Sequence, residues 1–518
     1  MTRYNRPAMP KRDAAGSSPR SPKDAKVSGR REKERGGDSP RPSSKGLATY
    51  DDAIAYLHEL VSVERMRPER VDPAILKLDR MESILAALGN PHRAVRFVHV
   101  AGSKGKGSTC EMIASSLAAC GCATGLYTSP HLVDVRERIR LNQQMITPED
   151  FRRCVASAAG AAEAALKKTV PATFFEILTA AALLHFASEA VDVAVMEVGL
   201  GGRWDSTNVI MPEVCAITAI QLEHTQILGS TLEAIAREKA GIIKPGVPVI
   251  TVPQESKAVL AVLREVAAER GAPLSVLGEE IDFSSRFVSS AGAKPQVRVC
   301  LTSPRSEFEH LTVPLRGEHQ AHNCGLALAV LDVLRSRGFP INEKRVSEGM
   351  ALTPNHGRME LVRERPRVVV DGAHNPESIE GLVKSLGAYL GYDSLVVIFG
   401  CAADKNVPAM LAKLAMGADK VIFTRASDNA RAADPRDLIR KYAEVAPNKM
   451  AQVAPTLRDA LDIAFRALTR GDLACVTGSF YLAGEAKRLL QDGAKNASAQ
   501  QIEAKPAAPA RAKGRPRP

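Results

Sequence analysis

The stretch 97-FVHVAGSKGKGSTC-110 decides the fold. A short apolar run, a loop of glycines and lysines, and a helix-like start at Thr109–Ala119 form the strand–loop–helix layout of a nucleotide phosphate site. Gly102, Gly105 and Gly107 allow the backbone to approach phosphate oxygens, and Lys106 can reach the outer phosphates. In the Walker pattern a Ser or Thr hydroxyl follows the lysine and binds Mg²⁺. Here Gly107 follows it, so the metal needs another donor.

Working outward, Val191–Val198 and Val214–Ile220 read as buried strands, and Ser230-x-x-Glu233 reads as a capping box opening a helix that Gly241 closes. Strands alternating with helices predict parallel βαβ units in a doubly wound sheet. The alternation starts afresh near residue 366, with helices at Pro376–Leu390, Pro408–Gly417, Pro435–Val445 and Thr456–Leu468, several of them opened by proline. The expected architecture is α/β: a P-loop-containing, doubly wound N-terminal ATPase domain (48–361) and a smaller Rossmann-like C-terminal α/β domain (366–490). The joint is expected around Glu360–Pro366.

A chain of 518 residues suits two domains plus tails. The net charge of +12 lies at the ends. Residues 1–47 carry 13 Lys/Arg against 5 Asp/Glu, and 493–518 carry 6 against 1, which leaves the body near neutral. Both ends lack apolar periodicity and read as disordered basic tails. A nucleic-acid-binding fold would spread its charge over a folded face, so no nucleic acid is expected to bind through the fold. Asp13, Asp24, Glu32, Glu34 and Asp38 spoil a mitochondrial transit pattern. No apolar run approaches membrane-spanning length, so no membrane partner is expected. The nine cysteines read as reduced thiols of a cytoplasmic protein.

Polar groups recur at the ends of apolar strands, where open parallel sheets bind ligands. Glu197 ends one strand, as a metal ligand, a base or a cap on the following glycine turn. His224 follows another in 221-QLEHT-225. In 371-DGAHNP-376, Asp371, His374 and Asn375 open a helix, and Lys405 follows a further strand. Two such edges facing each other form a cleft.

With these residues assembled, the chain resembles the folylpolyglutamate synthase/dihydrofolate synthase family within the Mur ligase group. The resemblance spans roughly 50–490 and rests on HVAGSKGKGST, LYTSPHL (126–132), TFFE (173–176), MEVGLGGRWDSTN (196–208), REKAGIIKPG (237–246), GEHQAHN (317–323), HGRME (356–360), DGAHNP and GSFYLAGE (478–485). It implies ATP-dependent transfer of a phosphoryl group to a pteroate or folate carboxylate, followed by attack of the L-glutamate amine on the acyl phosphate. Implied ATP contacts are Gly102, Lys104, Gly105, Lys106, Gly107, Ser108, Asn323, Arg358 and Asp371. Implied Mg²⁺ ligands are Ser129, Glu197 and His224, with a second site at a carbamylated Lys239. The pteroate pocket falls on Thr173, Phe174, Phe175, Glu176, Trp204, Asp205 and Ser206. Catalytic roles fall on Lys106, His224, Lys239, Asp371 and His374. The small-molecule partners are then ATP, L-glutamate and dihydropteroate or folates, and a monomer is expected.

Some positions depart from the family pattern. Lys104 stands where many bacterial members have Asn, Glu223 replaces the more usual Asp, and Trp204 takes a position often filled by Leu. Two alternatives stay open. A Mur-type ligase for a UDP-sugar peptide would need a UDP-binding domain, for which residues 48–96 are too short. A nucleotide-switch ATPase would use the basic tails on nucleic acid and lose that binding steeply with salt.

Overall fold

The computed structural model of the chain describes Ser44 and residues 46–64, 77–167, 170–289, 295–427 and 429–503, with 493–503 as backbone alone. The expected tails 1–47 and 493–518 therefore lie largely outside the described residues. The exception is a correction: the last helix, Phe480–Glu503, runs past the expected boundary at 493.

The first sheet contains β1 (Phe97–Ala101), β2 (Thr124–Tyr127), β3 (Ile139–Leu141), β4 (Gln144–Met145), β5 (Val193–Glu197), β6 (Val214–Ile217), β7 (Val249–Thr251) and β8 (Leu274–Val276), in the order β4-β3-β2-β5-β1-β6-β7-β8. From β2 to β8 in that order all pairs are parallel, while β3 and β4 add an antiparallel edge. Every residue of β1 is buried, as a central parallel strand covered on both faces requires. Val98 and Val100 pack on one face against helices Lys106–Ala119 and His319–Ser336. Phe97 packs on the other, toward helices Pro148–Ala165 and Phe174–Ser188. Each such fully buried aliphatic or aromatic side chain stabilises the fold by about 1.5–3 kcal/mol.

The second sheet contains β12 (Glu360–Glu364), β13 (Arg367–Val370), β14 (Leu395–Phe399), β15 (Lys420–Phe423), β16 (Met450–Val453) and β17 (Leu473–Thr477), in the order β12-β13-β17-β14-β15-β16. Its pairs are parallel except β12 with β13. Residues 360–364, expected as the joint, are thus an edge strand of the second sheet. Glu360 also pairs with Lys487 of the last helix, so this segment belongs to the C-terminal half and the boundary precedes it.

Between the sheets of the doubly wound plan lies an addition that the sequence reading does not contain. β9 (Asp282–Val288), β10 (Gln296–Thr302) and β11 (Glu307–Thr312) form an antiparallel sheet. Its inward residues Val297, Val299, Leu301, Phe308 and Leu311 join the core over helix Lys106–Ala119. A second correction concerns the helix Leu232–Ala240. Its N-cap is Thr231, whose hydroxyl accepts from Ala234 N–H at 3.2 Å, and not Ser230. The shift by one residue turns Glu233 from the reciprocal capping partner into a first-turn acid.

Candidate functional site

Strand β1 ends in the loop Gly102–Gly105, and helix Lys106–Ala119 starts directly from it. Gly105 is the N-cap at φ 90° and offers no side chain to the first helical N–H groups. Those donors and the positive end of the helix dipole therefore face outward, as an anion site requires. A Cβ on Gly105 would overlap the amide of Asn323, and one on Gly107 would overlap the Arg358 guanidinium. Both expected ATP-contacting residues thus lie against the loop. Asn323 is held by Gln320 Oε1 at 2.9 Å, and Gln320 donates to Ser108 Oγ at 3.3 Å. Lys106 Nζ turns back onto Gly102 O at 3.0 Å.

Glu197 closes β5, next to β1 in the sheet, and is 4% exposed. Ser129 N–H donates to Glu197 Oε2 at 3.0 Å, which brings the Ser129 hydroxyl to the same edge. Burial raises the Glu197 carboxyl above its ordinary range, against the pull of Lys106, the Ser129 N–H and Arg358. His224, at φ 47°, stands on the loop after β6 with its ring exposed to the cleft, and it bonds to neither of them. Desolvation by the cleft walls, with Lys405, Lys239 and Lys106 nearby, outweighs Glu223 and lowers it to about 4. The ring is neutral at pH 7.

Lys239 is 1% exposed, and its ammonium donates to Glu223 Oε1 at 2.7 Å and Gly102 O at 2.9 Å. Burial works against the charge on Glu223, yet Lys239, Lys106 and His224 hold the carboxylate well below its usual range. The lysine is thereby tied to the phosphate loop, and the Glu at 223 has the reach to pair with it.

A hard cation fits the Glu197 edge. Among the described residues no cluster of three His, Cys, Asp or Glu side chains forms a closed metal cage. What the edge offers is one buried carboxylate and a hydroxyl beside a phosphate loop. Mg²⁺ characteristically binds through one or two protein oxygens, with phosphates and water completing its shell.

The segments assigned to the pteroate pocket divide. Thr173, Phe175, Trp204, Asp205 and Ser206 line a cavity of about 540 Å³, together with Lys106, Ser129, Glu197 and His224. Phe174 and Glu176 do not reach it. Glu176 is 2% exposed, completes a capping box with Thr173 and pairs with Arg80 at 2.9 and 3.0 Å. Arg80 also donates to Val170 O and Pro171 O, so the pair fixes the turn that presents Phe175. Leaving either charge buried alone would cost about 3–5 kcal/mol.

The opposite wall of the cavity comes from the second sheet, through His374, Lys405, Arg431, Phe480 and Tyr481. His374 Nδ1 meets Gly372 O at 2.7 Å, and burial with Lys104 and Lys405 nearby lowers the ring to about 3. Asn375 caps helix Pro376–Tyr389 through Ser378 N–H at 2.9 Å. Asp371 is not a lining residue. Its carboxylate accepts from Met359 N–H and Ala373 N–H, each at 2.8 Å, and burial raises it to about 6. It holds the HGRME segment, and hence Arg358, against the loop.

Sequence reasoning missed the contacts that join the walls. Glu64 takes both amino groups of the buried Arg138 at 2.8 and 2.7 Å, and its carbonyl accepts from Arg431, in the loop after β15, at 2.9 Å. These residues are too far apart in the chain for spacing to signal them.

The family described as Mur ligase middle domain matches residues 100–331, and the Mur ligase glutamate ligase domain matches 357–480. The chain is 34% identical over 449 residues to "Dihydrofolate synthase/folylpolyglutamate synthase" of Bacillus subtilis, covering 86% of this chain and all of that one. It is similar to the structure of Mycobacterium tuberculosis folylpolyglutamate synthase complexed with ADP, with a TM-score of 0.76 and 31% identity, over 86% and 98% of the two chains. It is also similar to E. coli FolC in complex with DHPP and ADP, with a TM-score of 0.74 and 29% identity, over 88% and 100%.

Proposed function

The chain belongs to the dihydrofolate synthase/folylpolyglutamate synthase family, and from that footing we propose how its own residues perform ATP-dependent addition of L-glutamate to dihydropteroate or folates. The observation that carries the assignment is the single cavity walled by both sheets, with the phosphate loop, Glu197 and Ser129 on one side and His374 and Lys405 on the other.

The outward-facing N–H groups of helix Lys106–Ala119 take the ATP phosphates, and Lys106 swings from Gly102 O to the γ-phosphate. Asn323 and Arg358 brace the loop, and Arg358 offsets charge on the transferring group. Glu197 and Ser129 would hold Mg²⁺, which would supply charge neutralisation at the phosphates. Phe175, Trp204 and Asp205 seat the pteroate end of the acceptor, so that its carboxylate points at the loop. Phosphorylation turns that carboxylate into an acyl phosphate with a good leaving group. Lys405 faces the carboxylates of L-glutamate, whose amine attacks the acyl carbon and expels phosphate. His374 and His224, both neutral, are able to accept a proton there. Closure of the cleft between its two walls would keep water from the acyl phosphate.

A carbamate on Lys239 would supply a ligand for a second metal ion. Burial lowers the lysine's pKa toward the neutral amine that adds CO₂, but Glu223 opposes this, so carbamylation would have to displace the Lys239–Glu223 ion pair. Both walls of the cleft come from one chain, which suits a monomer. Among the described residues no helix is long and apolar enough to cross a membrane, and all nine cysteines are free, in keeping with a reducing cytoplasm.

The test is to supply the purified protein with ATP, Mg²⁺ and labelled glutamate, with dihydropteroate or tetrahydrofolate in parallel. Incorporation with at least one acceptor is expected, with one ADP per glutamate. No incorporation with either overturns the assignment.

A further inference from the structure

The central strand of a doubly wound sheet is a costly place for an imidazole. His99 lies in the middle of β1, fully buried, flanked by Met196 of β5 and Cys215 of β6. Its Nδ1 has no partner. An orphaned buried polar atom costs on the order of 1–3 kcal/mol, which an aliphatic residue on this face would not incur. Strand packing therefore does not explain the histidine.

The other nitrogen shows what it serves. His99 Nε2 lies 2.9 Å from Thr207 Oγ1, and Thr207 Oγ1 lies 2.5 Å from Asp205 Oδ1. His99 and Thr207 are fully buried and Asp205 is 6% exposed, at the floor of the cavity. The proton order is fixed by the acceptor at the end. A carboxylate only accepts, so the Thr207 hydroxyl donates to Asp205 and must itself accept from His99 Nε2–H. Burial and the nearby Lys244 keep the ring neutral, so Nε2 carries its one proton and Nδ1 is bare. Asp205 Oδ1 also accepts Thr207 N–H at 3.0 Å and Oδ2 accepts Leu200 N–H at 2.8 Å. The Gly199 N–H adds a further backbone bond to the same carboxylate, and together these bonds fix its plane where Asp205 lines the cavity.

We propose that His99 is a positioning residue for acceptor binding: through Thr207 it locks the orientation of Asp205, which receives N–H donors of the pteroate moiety. The inference rests on the placement of the pteroate end at Asp205. Without the imidazole the Thr207 hydroxyl loses its donor and can rotate toward other acceptors. Asp205 then loses its side-chain bond and its fixed plane. The phosphate loop begins at Gly102, three residues beyond His99, but none of its atoms takes part in the relay.

Two pairs of variants test this, by steady-state kinetics for each substrate. Thr207→Val removes the hydroxyl at constant shape, and Thr207→Ser restores it. His99→Leu removes the donor, and His99→Gln retains an N–H near the Nε2 position. The expected result is a rise of about tenfold in KM for the pteroate acceptor in Thr207→Val and His99→Leu, the ~1.4 kcal/mol of one lost hydrogen bond in a network. The KM values for ATP and glutamate and the kcat should stay within about threefold, and Thr207→Ser and His99→Gln should return near wild type. Should His99→Leu fail to fold, the isosteric Thr207→Val carries the test alone. An unchanged acceptor KM in Thr207→Val, or a parallel rise in all three KM values, overturns the inference. Wild-type turnover with pteroate in the same assay separates either result from a failure of the ligase assignment itself.

Discussion

Two carboxylates stand at corresponding places in the two sheets. Glu197 ends β5 and Asp371 follows β13, each at the carboxyl end of a buried parallel strand. Burial raises both above the ordinary carboxylate range. Their partners differ. Asp371 spends its two oxygens on Met359 N–H and Ala373 N–H of its own domain. Glu197 receives a single N–H, from Ser129, and faces Lys106 and Arg358 across the loop. Strand-end position alone does not separate these two acids; the number of donors already taken does. Asp371, filled by backbone N–H groups, is suited to holding its domain, while Glu197, left short of donors, is free to take a cation.

Removing the charge at Glu197 is the most severe way to break this contrast. Glu197→Gln keeps the shape and the Ser129 contact but withdraws the hard anionic donor. Turnover at saturating ATP should fall about a thousandfold, near 4 kcal/mol, the scale seen when a group handling transition-state charge is lost. The melting temperature should hold or rise, because a desolvated charge is gone. Stopped-time measurement of ADP release and a thermal melt check the two halves. A large fall in melting temperature would make Glu197 a structural acid like Asp371.

Asp371 should respond in stability, and with a pH signature. Its carboxyl is raised to about 6 in the folded chain from an ordinary 3.8. Folding therefore favours the protonated form. The stability from that preference is fully present below about pH 4 and is lost as pH rises through 6. The full difference corresponds to about 3 kcal/mol, and partial access of water to the residue reduces it to about 2 kcal/mol. Asp371→Asn cannot titrate, so between pH 4 and pH 7 wild type should lose about 2 kcal/mol relative to the variant, as read by denaturant midpoints. Parallel stability curves for the two proteins would remove Asp371 from the comparison.

The contrast also marks how far the residues could be read without coordinates. The strand–loop–helix at 97–119, the restart of alternation near 366 and the helix Pro435–Val445 were legible, because apolar runs, glycine and N-terminal proline act locally. The edge strand at 360–364 was not, because an exposed, charged strand such as Glu360–Glu364 has no apolar signature. The antiparallel β9–β11 sheet escaped for a related reason, since only its alternate residues are buried. In the site, Ser129 beside Glu197 followed from the family motifs. Glu176 was assigned to the pocket by the same motifs, yet its charge is consumed by Arg80, a partner ninety-six residues away that no local pattern announces.

The smallest effect is the sharpest probe of the metal assignment. Ser129→Ala keeps the backbone N–H that bonds Glu197 Oε2 at 3.0 Å, so the carboxylate stays in place and only the hydroxyl is lost. If Glu197 provides most of the cation's binding and the hydroxyl one further oxygen, the half-saturating Mg²⁺ concentration should rise about tenfold, near 1.4 kcal/mol. Turnover at high Mg²⁺ should recover to within a few-fold of wild type, because water can take the vacated position. Titrating Mg²⁺ at fixed ATP in the two proteins reads this directly. An unchanged Mg²⁺ requirement would leave Gly107 without its substitute donor, and the hydroxyl absent from the phosphate loop would then have to be sought elsewhere on the β6 edge. A loss that excess Mg²⁺ does not restore would mean that the 129 hydroxyl orients Glu197 itself, which would move Ser129 from metal ligand to positioning residue.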